Sequence, residues 1–280
     1  MNETRRALKT TARGLLQGEH AGILRLTLLY LFLTDWLTTI LGFIKQNPLT
    51  TVMNTFTDSV DRITQAALAN GTQSIDLTPA YNSAAQTARE LLSQPAERTA
   101  LYAFILLFLY TIILHYGYYL VCMKHIRREH PDWQDLLSNL YLAGKIIAME
   151  VLVTVLTLVG TAFFLVPGLY FYYRYAMSPY CLLDHPEESF FQAMSRSARM
   201  TRGHKVELLV CDLSFVGWVI AGMLIADACA LLGGIAGAAG ASLLTLVGST
   251  AFHCYFTPYR QLTFLQYYES FVSLQPEEKH

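Results

Sequence analysis

Charge is what this chain lacks. Only 15% of its 280 residues are Asp, Glu, Lys or Arg, while 53% are hydrophobic. Soluble domains carry roughly 25% charged residues. A chain this long and this poor in charge cannot cover its surface with polar groups, so lipid has to shield part of it. The net charge is −1, and no basic stripe is joined to exposed stacking aromatics, which excludes a nucleic-acid partner. The five cysteines, Cys122, Cys181, Cys211, Cys229 and Cys254, lie in or beside apolar runs without CxxC or Cys/His spacing. They read as small buried hydrophobes, with no metal site and no cofactor expected. Also missing are H-E-x-x-H, G-x-S-x-G, P-loop and dinucleotide fingerprints. No catalytic residue is therefore assigned, and the chain is read as a non-enzyme. No A-x-A cleavage site follows the first apolar run, which argues against a signal peptide.

What is present is a series of long apolar runs. About 20 residues cross the hydrocarbon core of a bilayer. On that measure six spans are expected: 21–44, 99–123, 146–166, 169–183, 206–228 and 231–256. The fold class is thus all-α, a polytopic transmembrane helical bundle and a single membrane domain over 1–280. Pro167-Gly168 is expected to break the helix between the third and fourth runs, since proline lacks an N–H donor and glycine bends freely. The fourth run is short and reads either as a tilted span or as half of a re-entrant pair.

Cations flank these runs asymmetrically. Arg5, Arg6, Lys9 and Arg13 precede the first; Lys124, Arg127, Arg128 and Lys145 lie between the second and third; Arg196, Arg199, Arg202 and Lys205 lie between the fourth and fifth. Six spans put all three clusters on one side, and the positive-inside rule makes that side cytoplasmic, with both termini. Residues 257–280 then form a cytoplasmic tail. The loop 45–98 is acidic on balance and is expected outside. Within it Leu49, Val52, Met53, Phe56, Val60, Ile63 and Ala67 follow the helical period up to Asn70-Gly71. After Thr78-Pro79, a start signal, Tyr81, Ala84, Ala85, Ala88, Leu91 and Leu92 repeat it. An external helical hairpin follows from this.

Residues 1–20 read as an amphipathic cytoplasmic helix. Arg5, Lys9 and Arg13 share one face and Leu8, Ala12, Leu15 and Leu16 another, which suits anionic headgroups and acyl chains respectively. Arg196, Arg199 and Arg202 recur in a second surface helix. These six arginines and lysines are the candidate contacts to lipid headgroups, the competing reading being plain topology signals.

The run from Met200 to Trp218 contains Met200, Gly203, Lys205, Leu213, Ser214, Phe215, Gly217 and Trp218. Arg6, Lys9, Ala12, Leu15 and Gly18 near the start, and the break Val166-Pro167-Gly168 followed by Tyr175, Pro179 and Pro186, complete a recurring pattern. In these positions the chain resembles the bacterial "domain of unknown function 975" family of integral membrane proteins. The resemblance covers most of the chain except the hairpin. It implies a multi-pass protein of the bacterial cytoplasmic (inner) membrane and no particular activity.

Ionisable residues inside spans are the default functional candidates, because each costs roughly 2.5–3.5 kcal/mol at a helix centre. Glu150, Arg174, Asp212 and Asp35 are the candidates for a ligand or ion pathway. Glu150 and Arg174 could pair if the fourth run is tilted or re-entrant; alternatively Arg174 snorkels among Tyr170, Tyr172, Tyr173 and Tyr175. Asp212 either faces a cavity or proton path, or bonds Lys205 or a neighbouring backbone group near the inner interface. His115 and His253 read as satisfied core histidines. Gly233, Gly234, Gly237 and Gly240, with intervening alanines, form a small-residue face suited to close helix packing, within the chain or between copies.

Three readings of function follow. The first is a protein that binds or transports a small or lipidic molecule. The second is an interaction or assembly protein that joins a homo-oligomer or a membrane protein partner through the hairpin and the small-residue face. The third is an intramembrane lipid-modifying enzyme. Membrane lipids are the common partner of all three.

Overall fold

The computed structural model describes residues 2–17, 21–36, 48–70, 77–93, 95–235 and 237–274. Every regular element among them is helical. The chain divides into two units, 1–36 with 111–280, and 37–110.

The larger unit opens with α1 (Asn2–Gln17) and α2 (Ala21–Leu31), the latter ending in a π-turn at Phe32–Trp36. The rest of the first apolar run, 37–44, lies outside the described residues. The smaller unit holds α3 (Pro48–Asn70) and α4 (Thr78–Ser93), bounded where the helix period and the start and stop signals put them. These two helices pack along each other, and the Ser59 and Ser83 hydroxyls meet at 2.9 Å. Ala80 is buried, whereas Phe56, Val60 and Ile63 remain half-exposed.

Helix α5 (Pro95–Ile126) is followed by two short 3₁₀ turns, Trp133–Leu136 and Ser138–Leu142. The first turn carries a capping box between Asp132 and Asp135, which satisfies two otherwise orphan N–H groups. Lys124 pairs with Asp135 at 2.6 Å, and the Asn139 amide donates to the Tyr116 carbonyl at 3.3 Å. Both contacts fold the turns back onto α5. Gly117 permits this approach, because a β-carbon there would overlap the Leu136 backbone.

Helices α6 (Ala143–Phe163) and α7 (Leu165–Tyr175) form a tight pair. The break falls at Phe164, whose backbone is extended, and not at Pro167-Gly168 as expected. Pro167 sits in the first turn of α7, where the missing N–H costs nothing. Gly168 instead lies against Thr161 of α6. The fourth apolar run is therefore cut in two: α7, then α8 (Ser178–Asp184). Eleven residues of helix span roughly 16 Å, about half the hydrocarbon thickness.

Helix α9 (Phe190–Met200) is capped by Ser189 and buries Ala193, Met194, Ser197 and Met200. Helices α10 (Lys205–Leu213) and α11 (Val216–Gly234) divide the fifth run at Ser214-Phe215. Gly237, at φ +87°, turns the chain into α12 (Ala238–Leu274); a β-carbon would be strained in that region. Gly233 then packs against Gly240 and Ala241, so that part of the small-residue face joins α11 to α12. Helix α12 has 37 residues and is roughly 55 Å long at 1.5 Å per residue. The segment 257–274, expected as a tail, is the continuation of this helix. Tyr259, Leu262, Leu265, Tyr268 and Phe271 along it are all buried. Residues 275–280 lie outside the described ones.

Among the described residues, three stretches are long and apolar enough to cross a membrane: Leu101–Ile126, Trp133–Ala162 and Lys205–Gly234. Large apolar side chains stay exposed along them, among them Leu106, Val155, Leu158, Val206, Met223 and Leu224. This is the surface a bilayer would cover.

Candidate functional site

The second half of α12 builds the polar centre of the larger unit. Phe215, only 1% exposed, meets the Tyr259 ring edge-on at 5.4 Å and the Phe256 ring at 6.1 Å. This packing sets the rotation of α12 against the α10–α11 bend. The next residue, Arg260, thereby reaches α10. Its Nη2 donates to Asp212 Oδ1 at 2.8 Å and its Nε to the same oxygen at 3.2 Å. From α7, the Tyr173 hydroxyl donates to Asp212 Oδ2 at 3.2 Å. Both carboxylate oxygens are thus engaged, and the pair carries no net charge.

Beside this ion pair lies a cleft of about 290 Å³, lined by Thr157, Thr161, Gly168, Leu169, Tyr172, Tyr173 and Asp212. Thr157 and Thr161 lie one turn apart on α6 and so share a face. The Thr161 hydroxyl is spent on the Thr157 carbonyl at 2.8 Å. Among the described residues, the buried Thr157 hydroxyl has no hydrogen-bond partner.

A tyrosine array continues from the ion pair. The His115 ring lies between the Tyr30 and Tyr119 hydroxyls, 2.8 Å from each. A neutral imidazole satisfies both, donating from one nitrogen and accepting at the other. Tyr116 donates to Glu150 at 2.8 Å. The Tyr180 ring stands between those of Tyr119 and Tyr268, at 5.3 and 5.5 Å, and its hydroxyl accepts from Gln261 at 2.7 Å. At the far end Tyr268 and Arg127 both donate to Asp184, at 2.8 and 2.7 Å, and Arg127 also reaches Glu269 at 3.0 Å.

Burial works to raise the Asp184 pKa, but hydrogen bonds from Arg127 and Tyr268 outweigh it and hold the carboxyl below its ordinary value. A depressed carboxylate stabilises the fold fully above its unfolded pKa of about 3.9 and loses that contribution as pH falls through the folded value. Thermal unfolding should accordingly show wild-type protein losing its advantage over Asp184→Asn below about pH 4. A gap between the two that stays constant through the acid range would contradict this assignment.

Of the residues singled out in the sequence, Asp212 is at the centre, bonded to Arg260 and Tyr173; Lys205 lies instead over the Tyr170 ring at 4.6 Å. Glu150 meets Tyr116 and makes no ion pair with Arg174. Arg174 lies over the Tyr175 ring at 5.6 Å, while its carbonyl accepts from Ser197 and Thr201. Asp35 is exposed in the π-turn and accepts from Thr34 at 3.4 Å. The His253 Nδ1 lies 2.8 Å from the Ser249 carbonyl.

Two cations of the α1 face, Lys9 and Arg13, are engaged within the protein. Lys9 bonds the Ser214 hydroxyl and lies over the Phe215 ring at 4.0 Å. Arg13 lies over the Tyr259 ring at 5.3 Å. The Arg5 side chain lies outside the described residues. Arg196 pairs with Glu188, whereas Arg199 and Arg202 are exposed.

Arg260 went unnoticed in the sequence, and Tyr173 figures there only as one of the tyrosines around Arg174, not as a partner of Asp212. A signal for Arg260 existed, because Phe256, Tyr259, Thr263, Gln266, Tyr267 and Phe271 repeat at helical spacing and mark a buried face that continues past the last apolar run.

Two stretches of the recurring pattern, the α1 cations and the Leu213–Trp218 run, are in contact through Lys9, Ser214 and Phe215. No curated protein and no solved structure matches the chain. The family described as "Protein of unknown function (DUF975)" matches residues 1–275. With nearly its whole length accounted for in this way, and with the α1 and α10–α11 stretches of the pattern meeting in the fold, the chain belongs to the DUF975 family.

Proposed function

We propose that this membrane protein binds a small amphiphile, lipid or lipid-like, in the cleft between α6, α7 and α10, and performs no chemistry on it. The observation that carries the reading is the juxtaposition of a neutralised carboxylate, Asp212 with Arg260, and a buried unpaired hydroxyl, Thr157, at a cleft on otherwise apolar helices. Ligand pockets combine an apolar lining with a few fixed polar groups. Leaving a buried hydroxyl unbonded costs roughly 1–3 kcal/mol, which a ligand group would recover.

The same reading keeps the six-span arrangement, with α3 and α4 outside and the cationic ends in the cytoplasm. It is supported by contacts among those ends. Lys145 donates to the Pro186 and Glu188 carbonyls, Arg196 pairs with Glu188, and Arg127 joins Asp184 to Glu269. Cations from different loops thus converge at one end of the larger unit.

Leu169 lines the cleft and is itself exposed, so Leu169→Trp should fill the cleft while the helices stay intact. Protein in lipid nanodiscs containing a photoactivatable amphiphile should be labelled between Thr157 and Tyr173. The variant should lose that labelling by roughly tenfold or more, the equivalent of 1.4 kcal/mol, with an unchanged circular dichroism spectrum. Equal labelling of both proteins at those peptides would refute the cleft as a binding site.

A further inference from the structure

The cleft's charge balance and its hydroxyls narrow the ligand class. Asp212 is the one ionisable group apart from tyrosine among the lining residues, and Arg260 neutralises it. Arg174 of α7 and Lys205 of α10 lie over the Tyr175 and Tyr170 rings and do not line the cleft. An anionic headgroup would therefore be desolvated beside a carboxylate without a counter-charge of its own. A cationic headgroup would have to compete with Arg260 for Asp212. Placing an unpaired ion in an apolar site costs several kcal/mol. An uncharged group that hydrogen-bonds has no such cost: Thr157 and Tyr172 offer it hydroxyls, and the Thr161 and Tyr173 oxygens, whose protons are already engaged, can still accept.

Size points the same way. The cleft's 290 Å³ is room for several groups of water size, each with a share of roughly 30 Å³ in the liquid. That accommodates a glycerol-sized head and its first methylenes but no complete lipid. Leu158 and Val166, close in sequence to the lining residues, are exposed and offer apolar surface to the emerging chain.

We propose that the ligand of this cleft is an uncharged, hydroxyl-bearing amphiphile of the monoacylglycerol or diacylglycerol class, its head hydroxyl bonded to Thr157 Oγ1 and to the Asp212 carboxylate. The proposal rests on the reading of the cleft as a binding site given above. The full chain in phosphatidylcholine nanodiscs would be offered four octadecyl amphiphiles that carry the same diazirine in the chain. They are a monoacylglycerol, its di-O-methyl ether, a fatty acid at alkaline pH and a trimethylammonium. The monoacylglycerol should label the peptides between Thr157 and Tyr173 roughly tenfold more than each of the others, a difference of about one to two hydrogen bonds. Thr157→Val, which removes the hydroxyl at nearly constant volume, should lower that labelling roughly tenfold and leave background labelling of α11 unchanged. Preference for the fatty acid, the ammonium or the ether, or a Thr157→Val protein labelled like wild type, overturns the ligand class while the cleft stands as a site. Absence of labelling at these peptides by all four amphiphiles overturns the binding site itself.

Discussion

Gly117→Ala is expected to destabilise the protein by about 3 kcal/mol, at the upper end of the usual range for overpacking. The new β-carbon would overlap the carbonyl oxygen, the carbonyl carbon and the Cα of Leu136. All three are backbone atoms, so no rotamer change relieves the clash. Leu136 cannot retreat cheaply either. It is 1% exposed, and its turn is tied to α5 by Lys124–Asp135 and by Asn139 on the Tyr116 carbonyl. Moving the turn outward stretches both bonds and opens a void around Leu136, and the energies of these effects add. Gly144→Ala is the matched control. Among the described residues nothing lies within 4 Å of a β-carbon there, and alanine in a helix is favoured over glycine by up to about 1 kcal/mol. Thermal unfolding in detergent should move in opposite directions for the two variants. A Gly117→Ala protein as stable as wild type would mean that α5 and the 133–142 turns are not packed as described.

Breaking the Asp212–Arg260 pair is the other large perturbation. Arg260→Met keeps the apolar stem but leaves Asp212 with only the Tyr173 hydroxyl. Removing one partner of a fully buried pair costs 3–5 kcal/mol or so. Here the Arg260 side chain is 40% exposed and Asp212 22%, so solvent screening reduces the expected loss to about 1–3 kcal/mol. Asp212→Asn alone strands the guanidinium in the same way. The double variant Asp212→Asn/Arg260→Met removes both charges, and its loss should be smaller than the sum of the single ones by about 1 kcal/mol or more. Unfolding measurements on the four proteins close the cycle. Strict additivity would show that the two groups act independently, and the electrostatic argument for an uncharged ligand would lose its basis.

The helices whose signals are local were legible in advance. The period of Leu49 to Ala67, the stop at Asn70-Gly71 and the start at Thr78-Pro79 are all properties of neighbours in the chain, and α3 and α4 match them. The same holds for α1, whose apolar and cationic faces alternate within two turns. Its role was not legible. An amphipathic face suits a membrane surface and a protein surface equally, and Ala12 and Leu16 are buried within the protein while Lys9 and Arg13 lie on aromatic rings. The helix break next to Pro167 was misplaced because proline is tolerated in a first turn, and only the packing of Gly168 on Thr161 selects which turn that is.

Composition and local pattern by themselves determined that this chain is helical, that part of it suits a bilayer, and where many of its helices begin and end, because apolar periodicity and backbone signals act over a few residues. The tertiary structure alone decided that Asp212 answers to Arg260, 48 positions away, and that Tyr173, Thr157 and Leu169 share a cleft with it. Such pairings depend on how Phe215 and Tyr259 lock two helices in rotation. That is a matter of side-chain shape in three dimensions, which no spacing along the chain encodes.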